Sequence, residues 1–176
     1  AVLSALLDFL FPARCPGCGA EVPGRGGWCQ DCLGLTLTLR RIPLGEAERA
    51  AIFRAWALGR YHTVLRDLLL PLKYRGRRDR LPYLATFLQA ARAHLPFSPE
   101  KGDIAVPVPL FPTREKARGF NQTELIFRDW LTGQGWTWQK ALLRTRETMP
   151  QHGLSAAARA ENVADAFAVA PDADVA

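Results

Sequence analysis

Four cysteines, all within the first 32 residues, constrain this chain more than any other feature. They are Cys15, Cys18, Cys29 and Cys32, spaced Cys-x2-Cys-x10-Cys-x2-Cys. A two-residue gap lets both thiolates of a pair face one metal ion, and two such pairs supply the four soft ligands of a zinc tetrahedron. In the first pair Pro16 pre-sets a turn, and Gly17 and Gly19 permit its backbone angles. The intervening residues 20–28 contain Pro23, Gly24, Gly26 and Gly27 and read as a hairpin or loop that brings the pairs together. A closed four-sulfur site has no open position for water, so Zn2+ here is expected to be structural. Two disulfides are the alternative, with three possible connectivities. The apolar stretch 1–13 is broken by Asp8 and has no basic leader, so a secretory signal is not expected. A reducing, cytoplasmic compartment is the corresponding expectation, and disulfides do not persist there.

The rest of the chain reads as a folded domain. Of 176 residues, 48% are hydrophobic and 23% charged, which excludes a disordered chain. No apolar run approaches the roughly 20 residues of a membrane span. Lys and Arg total 23 against 17 Asp and Glu, a net charge of +6. The excess is local: residues 54–80 hold eight cations and two carboxylates, Asp67 and Asp79, and so account for all of it. Arg dominates over Lys, and its planar fork matches phosphate oxygens, so a phosphate-bearing partner is expected. A solvated helix end is the plainer alternative.

Hydrophobic periodicity places the elements. Residues 2–11 read as a short helix stopped by Pro12, and Leu33, Leu35, Leu37 and Leu39 alternate as in a strand. Residues 42–54 read as a linker with a polar helical turn, which puts the boundary between a module at 1–50 and a larger domain at 51–176. In the latter, residues 55–61 read as a strand and residues 63–72 as a helix that Pro71 kinks or ends. Residues 80–94 and 120–131 carry helical stripes, and residues 103–108, 141–144 and 166–169 read as short strands. Helices alternating with short buried strands predict an α/β fold with a largely parallel sheet.

Three polar clusters interrupt this scaffold. The first is the basic turn Lys73, Tyr74, Arg75, Gly76, Arg77, Arg78. The second follows Val106-Pro107-Val108-Pro109-Leu110 and contains Arg114, Lys116, Arg118, Asn121 and Gln122. The third contains Arg144, Arg146, Thr148, Gln151, Ser155, Arg159 and Asn162. In open α/β sheets ligands bind beyond the carboxyl ends of strands, and helix N-termini favour anions. The second and third clusters are therefore candidate phosphate sites. Each has a plainer reading as a soluble connector, with Asn121-Gln122 and Ser155 as helix caps. His62, His94 and His152 have no paired spacing, and no P-loop, Gly-x-Ser-x-Gly or His-Glu-x-x-His is present. Trp28, inside the cysteine loop, could stack on a base or cover a small core.

Taken in order, Cys-Pro-Gly-Cys-Gly … Cys-x2-Cys, Leu-Lys-Tyr-Arg-Gly-Arg, Val-Pro-Val-Pro-Leu, Arg-Gly-Phe-Asn-Gln, Arg144-x-Arg146 … Pro150-Gln151-x-x-Leu154-Ser155 and Arg159-x-x-Asn162 resemble the ComF family of competence-associated proteins, GntX-like members included. The resemblance spans residues 15 to about 169. It implies a zinc ribbon ahead of a type I phosphoribosyltransferase-like parallel sheet flanked by helices. It also implies a role in natural transformation, binding single-stranded DNA and phosphoribosyl pyrophosphate, the latter with Mg2+. The residues that fall on the motifs are Lys73, Arg75, Arg114, Arg118, Asn121, Gln122, Arg144, Arg146, Gln151, Arg159 and Asn162. Such folds carry a later acidic strand and a Thr/Gly-rich turn for the ribose phosphate. Its place lies beyond residues 172–176, so this part of the fold is expected to be missing and no catalytic residue is assigned. Phe111 stands where His is frequent, and Ala164-Asp165 where Gly is usual. Two other roles are consistent with the same features: a metabolic phosphoribosyltransferase acting on a small acceptor, and a zinc-ribbon adaptor for a helicase or uptake partner.

Overall fold

A computed structural model describes residues 11–173. The chain forms two compact units, residues 1–97 and 98–176. The first thus contains the cysteine module together with the strand and helices that follow it. The helix read over residues 2–11 lies, apart from Phe11, outside the described residues.

In the first unit, α1 (Gln30–Thr36) runs into β1 (Leu37–Ile42), followed by the single turn α2 (Glu46–Arg49) and β2 (Ala55–Gly59). The strand read from Leu33 therefore begins only at Leu37. Cys29 is the N-cap of α1, so the second cysteine pair starts a helix and the leucine alternation up to residue 36 winds around it. β1 and β2 form a two-stranded antiparallel ribbon, with Ile42 opposite Ala55 and Leu37 opposite Gly59. Gly59 fits tightly: a Cβ there would lie 2.8 Å from both Leu65 Cδ1 and the Thr36 carbonyl.

Two helices complete this unit, α3 (Thr63–Arg75) and α4 (Leu81–Arg92), joined through a 3-10 turn at Arg78–Arg80. Pro71 does not end α3. It removes one backbone donor, but Leu68 and Leu72 on either side of it are 2% and 0% exposed, and their packing carries the helix on to Arg75. Gly76, with φ 62°, then closes it in the left-handed conformation typical after a helix end. The core consists of Val22, Trp28, Leu65, Leu68, Leu72, Leu84, Phe87, Leu88 and Ala91.

The second unit contains β3 (Ile104–Ala105), α5 (Pro112–Arg118), α6 (Gln122–Thr132), β4 (Thr137–Trp138), β5 (Leu142–Arg144), α7 (Ala156–Val163) and β6 (Phe167–Val169). The expected parallel sheet is present, among the described residues, only as the β3–β4 pair, connected through α5 and α6. β5 and β6 pair antiparallel although a helix lies between them. Residues 145–166 hold both a long irregular loop and α7, so the chain turns back on itself before β6. A helix between two strands is thus not sufficient for parallel pairing. The architecture is mixed α/β, with three two-stranded sheets among the described residues. Among the described residues no helix is long and apolar enough to cross a membrane.

Candidate functional site

The cysteines assemble as their spacing predicts. Cys15 and Cys18 lie on a tight turn closed by hydrogen bonds from Cys15 N to the Ala20 carbonyl (2.8 Å) and from Gly19 N to the Cys15 carbonyl (3.0 Å). Cys29 and Cys32 occupy the first turn of α1, where the Cys32 N–H points at Cys29 Sγ at 3.4 Å. All four Sγ atoms lie within 4.8 Å of one another. Cys29 Sγ is 3.6 Å from both Cys15 Sγ and Cys18 Sγ. A disulfide needs about 2.05 Å, and all four cysteines are free. A tetrahedron with metal–sulfur bonds of about 2.3 Å has sulfur edges of about 3.8 Å, so the donor set fits zinc.

The thiols themselves call for a cation. Burial works against the Cys15 thiolate, but the N–H groups of Cys18, Cys29 and Gly17 outweigh it and bring the thiol down to about 6. Cys32 is pushed up to about 12, first by the Cys29 sulfur, then by burial and by the other two sulfurs. Cys32 therefore keeps a proton that a dication displaces on binding. Zinc held by four thiolates is structural: it ties the turn to the helix.

That knot is built into the core of the first unit. Trp28 is 8% exposed, donates from Nε1 to the Tyr83 carbonyl at 2.9 Å, and lies 6.1 Å from the Phe87 ring. Of its two possible roles, the structure gives it the core. Gly26, with φ 83°, presses on the start of α4, where a Cβ would lie 2.6 Å from Pro82 Cβ. Gly17 lies against the second cysteine pair, where a Cβ would fall 2.7 Å from Cys32 Sγ.

The basic turn lies at the end of α3, in this unit. Lys73, Tyr74, Arg75, Arg77 and Arg78 are all exposed. Lys73 Nζ sits 5.2 Å from the Tyr74 ring centroid. Arg77 is engaged by Asp79 through two bonds, 2.8 and 2.9 Å, which hold the Asp79 carboxyl below its usual range.

In the second unit the structure gathers residues that the sequence separates by thirty positions. Arg114 donates to the Thr148 carbonyl and pairs with Glu147 at 3.6 Å. Arg144 donates to the Thr148 hydroxyl, and its guanidinium lies 5.2 Å from the Phe167 centroid. Burial, then the charges of Arg114 and Arg146, lower the pKa of Arg144. Arg114 and Arg144 thus meet at the buried Thr148, and the charge of Arg146 acts on Arg144. Arg146 donates to the Ala164 carbonyl at 2.5 Å. Next to it Asp165 adopts φ 52°, a left-handed conformation that explains why Gly suits the position.

The remaining candidates divide. Asn121 caps α6, accepting from Thr123 N at 2.9 Å and donating to the Val108 carbonyl at 3.1 Å. Arg118 donates to Gln122 within the same segment. Asn162 grips the backbone of Met149 at both N and O, 3.0 and 2.9 Å. Ser155 caps α7 through Ala158 N. These residues shape the loops. Lys116 and Arg159 are exposed on α5 and α7, and the buried Oε1 of Gln151 has no partner. A cavity of about 390 Å3 at Asn121 is lined by Glu115, Glu124, Arg128 and Asp129, three carboxylates to one cation, a balance that does not suit phosphate.

A family described as "Double zinc ribbon domain" matches residues 6–41. The chain is 30% identical over 158 residues to the "DNA utilization protein YhgH" of Salmonella typhimurium, covering 87% of this chain and 69% of that protein. It is 32% identical over 146 residues to the protein of the same name in Escherichia coli strain K12, covering 79% and 63%. Against "Competence protein F" of Haemophilus influenzae it is 28% identical over 165 residues, covering 89% and 64%. The chain therefore spans about two thirds of the length of these relatives. No solved structure matches it.

Proposed function

The chain belongs to the ComF family, and on that footing we infer that it serves DNA uptake by binding single-stranded DNA in the cytoplasm through exposed cations on a zinc-stabilised scaffold. The observation that carries this reading is the turn Lys73–Arg78, an exposed group of cations at the end of a helix whose other face is buried in the core. Guanidinium and ammonium groups neutralise phosphates without reading bases, and each contact displaces counterions. The zinc holds the scaffold and takes no part in chemistry. The names of the relatives, DNA utilization and competence proteins, point the same way.

The members of the turn differ in what they can offer. Arg77 already has Asp79 as its partner, so it has less charge to give to a phosphate than Lys73 or Arg75. In titrations of labelled single-stranded DNA at several salt concentrations, Lys73→Ala/Arg75→Ala should reduce the slope of log affinity on log salt by about 1.4, about 0.7 per phosphate contact. Arg77→Ala should change it less. A double variant with the parent slope would remove this turn from the DNA path.

A second reading, that the chain binds phosphoribosyl pyrophosphate with Mg2+ on a phosphoribosyltransferase-like fold, is supported by the convergence of Arg114 and Arg144 on Thr148. It predicts a higher melting temperature with phosphoribosyl pyrophosphate and Mg2+, and no shift at saturating ligand would reject it.

A further inference from the structure

Arg49 and Arg54 lie in the stretch 42–54 that reads as a linker, and Arg40 and Arg41 just before it, yet the fold assembles them. β1 and β2 pair antiparallel with Arg40 opposite Ala57, Arg41 opposite Trp56 and Ile42 opposite Ala55. The chain between them forms α2 and returns through Ile52, Phe53 and Arg54. Phe53 precedes by two residues the Ala55 that faces Ile42, so it lies at the same end of the ribbon as Pro43 and Leu44. At that end Arg41, Ile42, Pro43, Leu44 and Arg49 line a cavity of about 390 Å3. Phe53 is 81% exposed and Ile52 46%. The Arg54 guanidinium lies 4.6 Å from the Phe53 ring centroid. Arg40, Arg41, Arg49 and Arg54 are all exposed, and none takes part in an ion pair among the described residues.

An exposed ring among cations without acidic partners is the composition of a single-strand platform, where a base stacks on the aromatic face and the flanking phosphates meet the cations. Aromatic rings and arginines also occur at protein interfaces; what favours a polyanion here is the excess of one sign of charge. Here Glu46 and Glu48 are outnumbered by four arginines. We propose that the open end of the β1–β2 ribbon is a single-stranded DNA subsite, with Phe53 stacking on a base and Arg41, Arg49 and Arg54 contacting the phosphates beside it. The subsite rests on the DNA-binding reading above and adds a location to it that is separate from the Lys73–Arg78 turn.

The test uses the full zinc-loaded chain and a labelled oligothymidine, read by fluorescence anisotropy at several salt concentrations. Phe53→Ala should weaken binding roughly tenfold and leave the salt slope unchanged, because stacking releases no counterions. Arg41→Ala/Arg54→Ala should reduce the slope by about 1.4. These residues are exposed, so the folded parent spectrum in circular dichroism is expected for both variants. In parallel, photocross-linking of a bromouracil-substituted strand to the unmutated chain should place adducts within residues 41–54. If both variants bind like the parent and adducts fall only elsewhere, the subsite is wrong while DNA binding stands. If the parent itself fails to bind at low salt, both readings fall together.

Discussion

Replacing Cys29 by Ser should leave the chain without stoichiometric zinc and the first unit without a cooperative melting transition. The substitution is chosen to isolate the metal. Ser is a good N-cap, so the start of α1 keeps its cap, and only one thiolate is lost. The other three sulfurs then lack the fourth corner, and the Cys15–Cys18 turn is no longer tied to the helix. Zinc binding to small four-ligand modules provides on the order of 10 kcal/mol of folding free energy, more than most of a typical domain's total stability. A chelator added to the parent protein should produce the same change. Metal content together with thermal circular dichroism checks it: a Cys29→Ser chain that carries one zinc and melts like the parent would show that the sulfurs hold no structural ion.

The second large effect lies at Trp28. This side chain joins the metal knot to the helical pair, through the Tyr83 carbonyl at 2.9 Å and the Phe87 ring. Trp28→Ala removes the ring and the indole donor to that carbonyl. The cost should be about 3–5 kcal/mol, read as a lower urea midpoint. Trp28→Phe, which keeps a ring but loses the N–H, should fall between the two. Zinc content should stay at one ion per chain, because no ligand is touched. Hydrogen exchange should quicken in α4, and unchanged exchange there would mean that the cysteine module stands apart from the helices.

What could be read in advance, and what could not, follows from how far apart the partners are in sequence. The zinc site is legible because its four ligands sit within 18 consecutive positions and their spacing alone encodes the geometry. The basic turn is legible for the same reason: its cations are neighbours. Trp28 had two readings because an aromatic in a loop looks the same whether it faces solvent or core; only the position of α4, 55 residues on, decides it. Pro71 misleads because one lost hydrogen bond counts for less than Leu68 and Leu72 packing around it. Arg114 of α5 and Arg144 of β5 converge on Thr148, which lies in a loop that carries no periodic signal. The arginines at 40–54 are spread over β1, α2 and the residue before β2, and become a group only when β1 pairs with β2. The antiparallel return of β6 on β5 was likewise hidden, since the helix between them looks like a crossover.

The central claim is that this zinc-built scaffold presents its cations to single-stranded DNA. Its most direct test is the affinity of the unaltered, zinc-loaded chain for a single-stranded oligonucleotide, measured from low to high salt. The account predicts a straight and steep fall of log affinity against log salt, largely independent of base sequence. An affinity that does not change across that range, or no binding at the lowest salt, would contradict it.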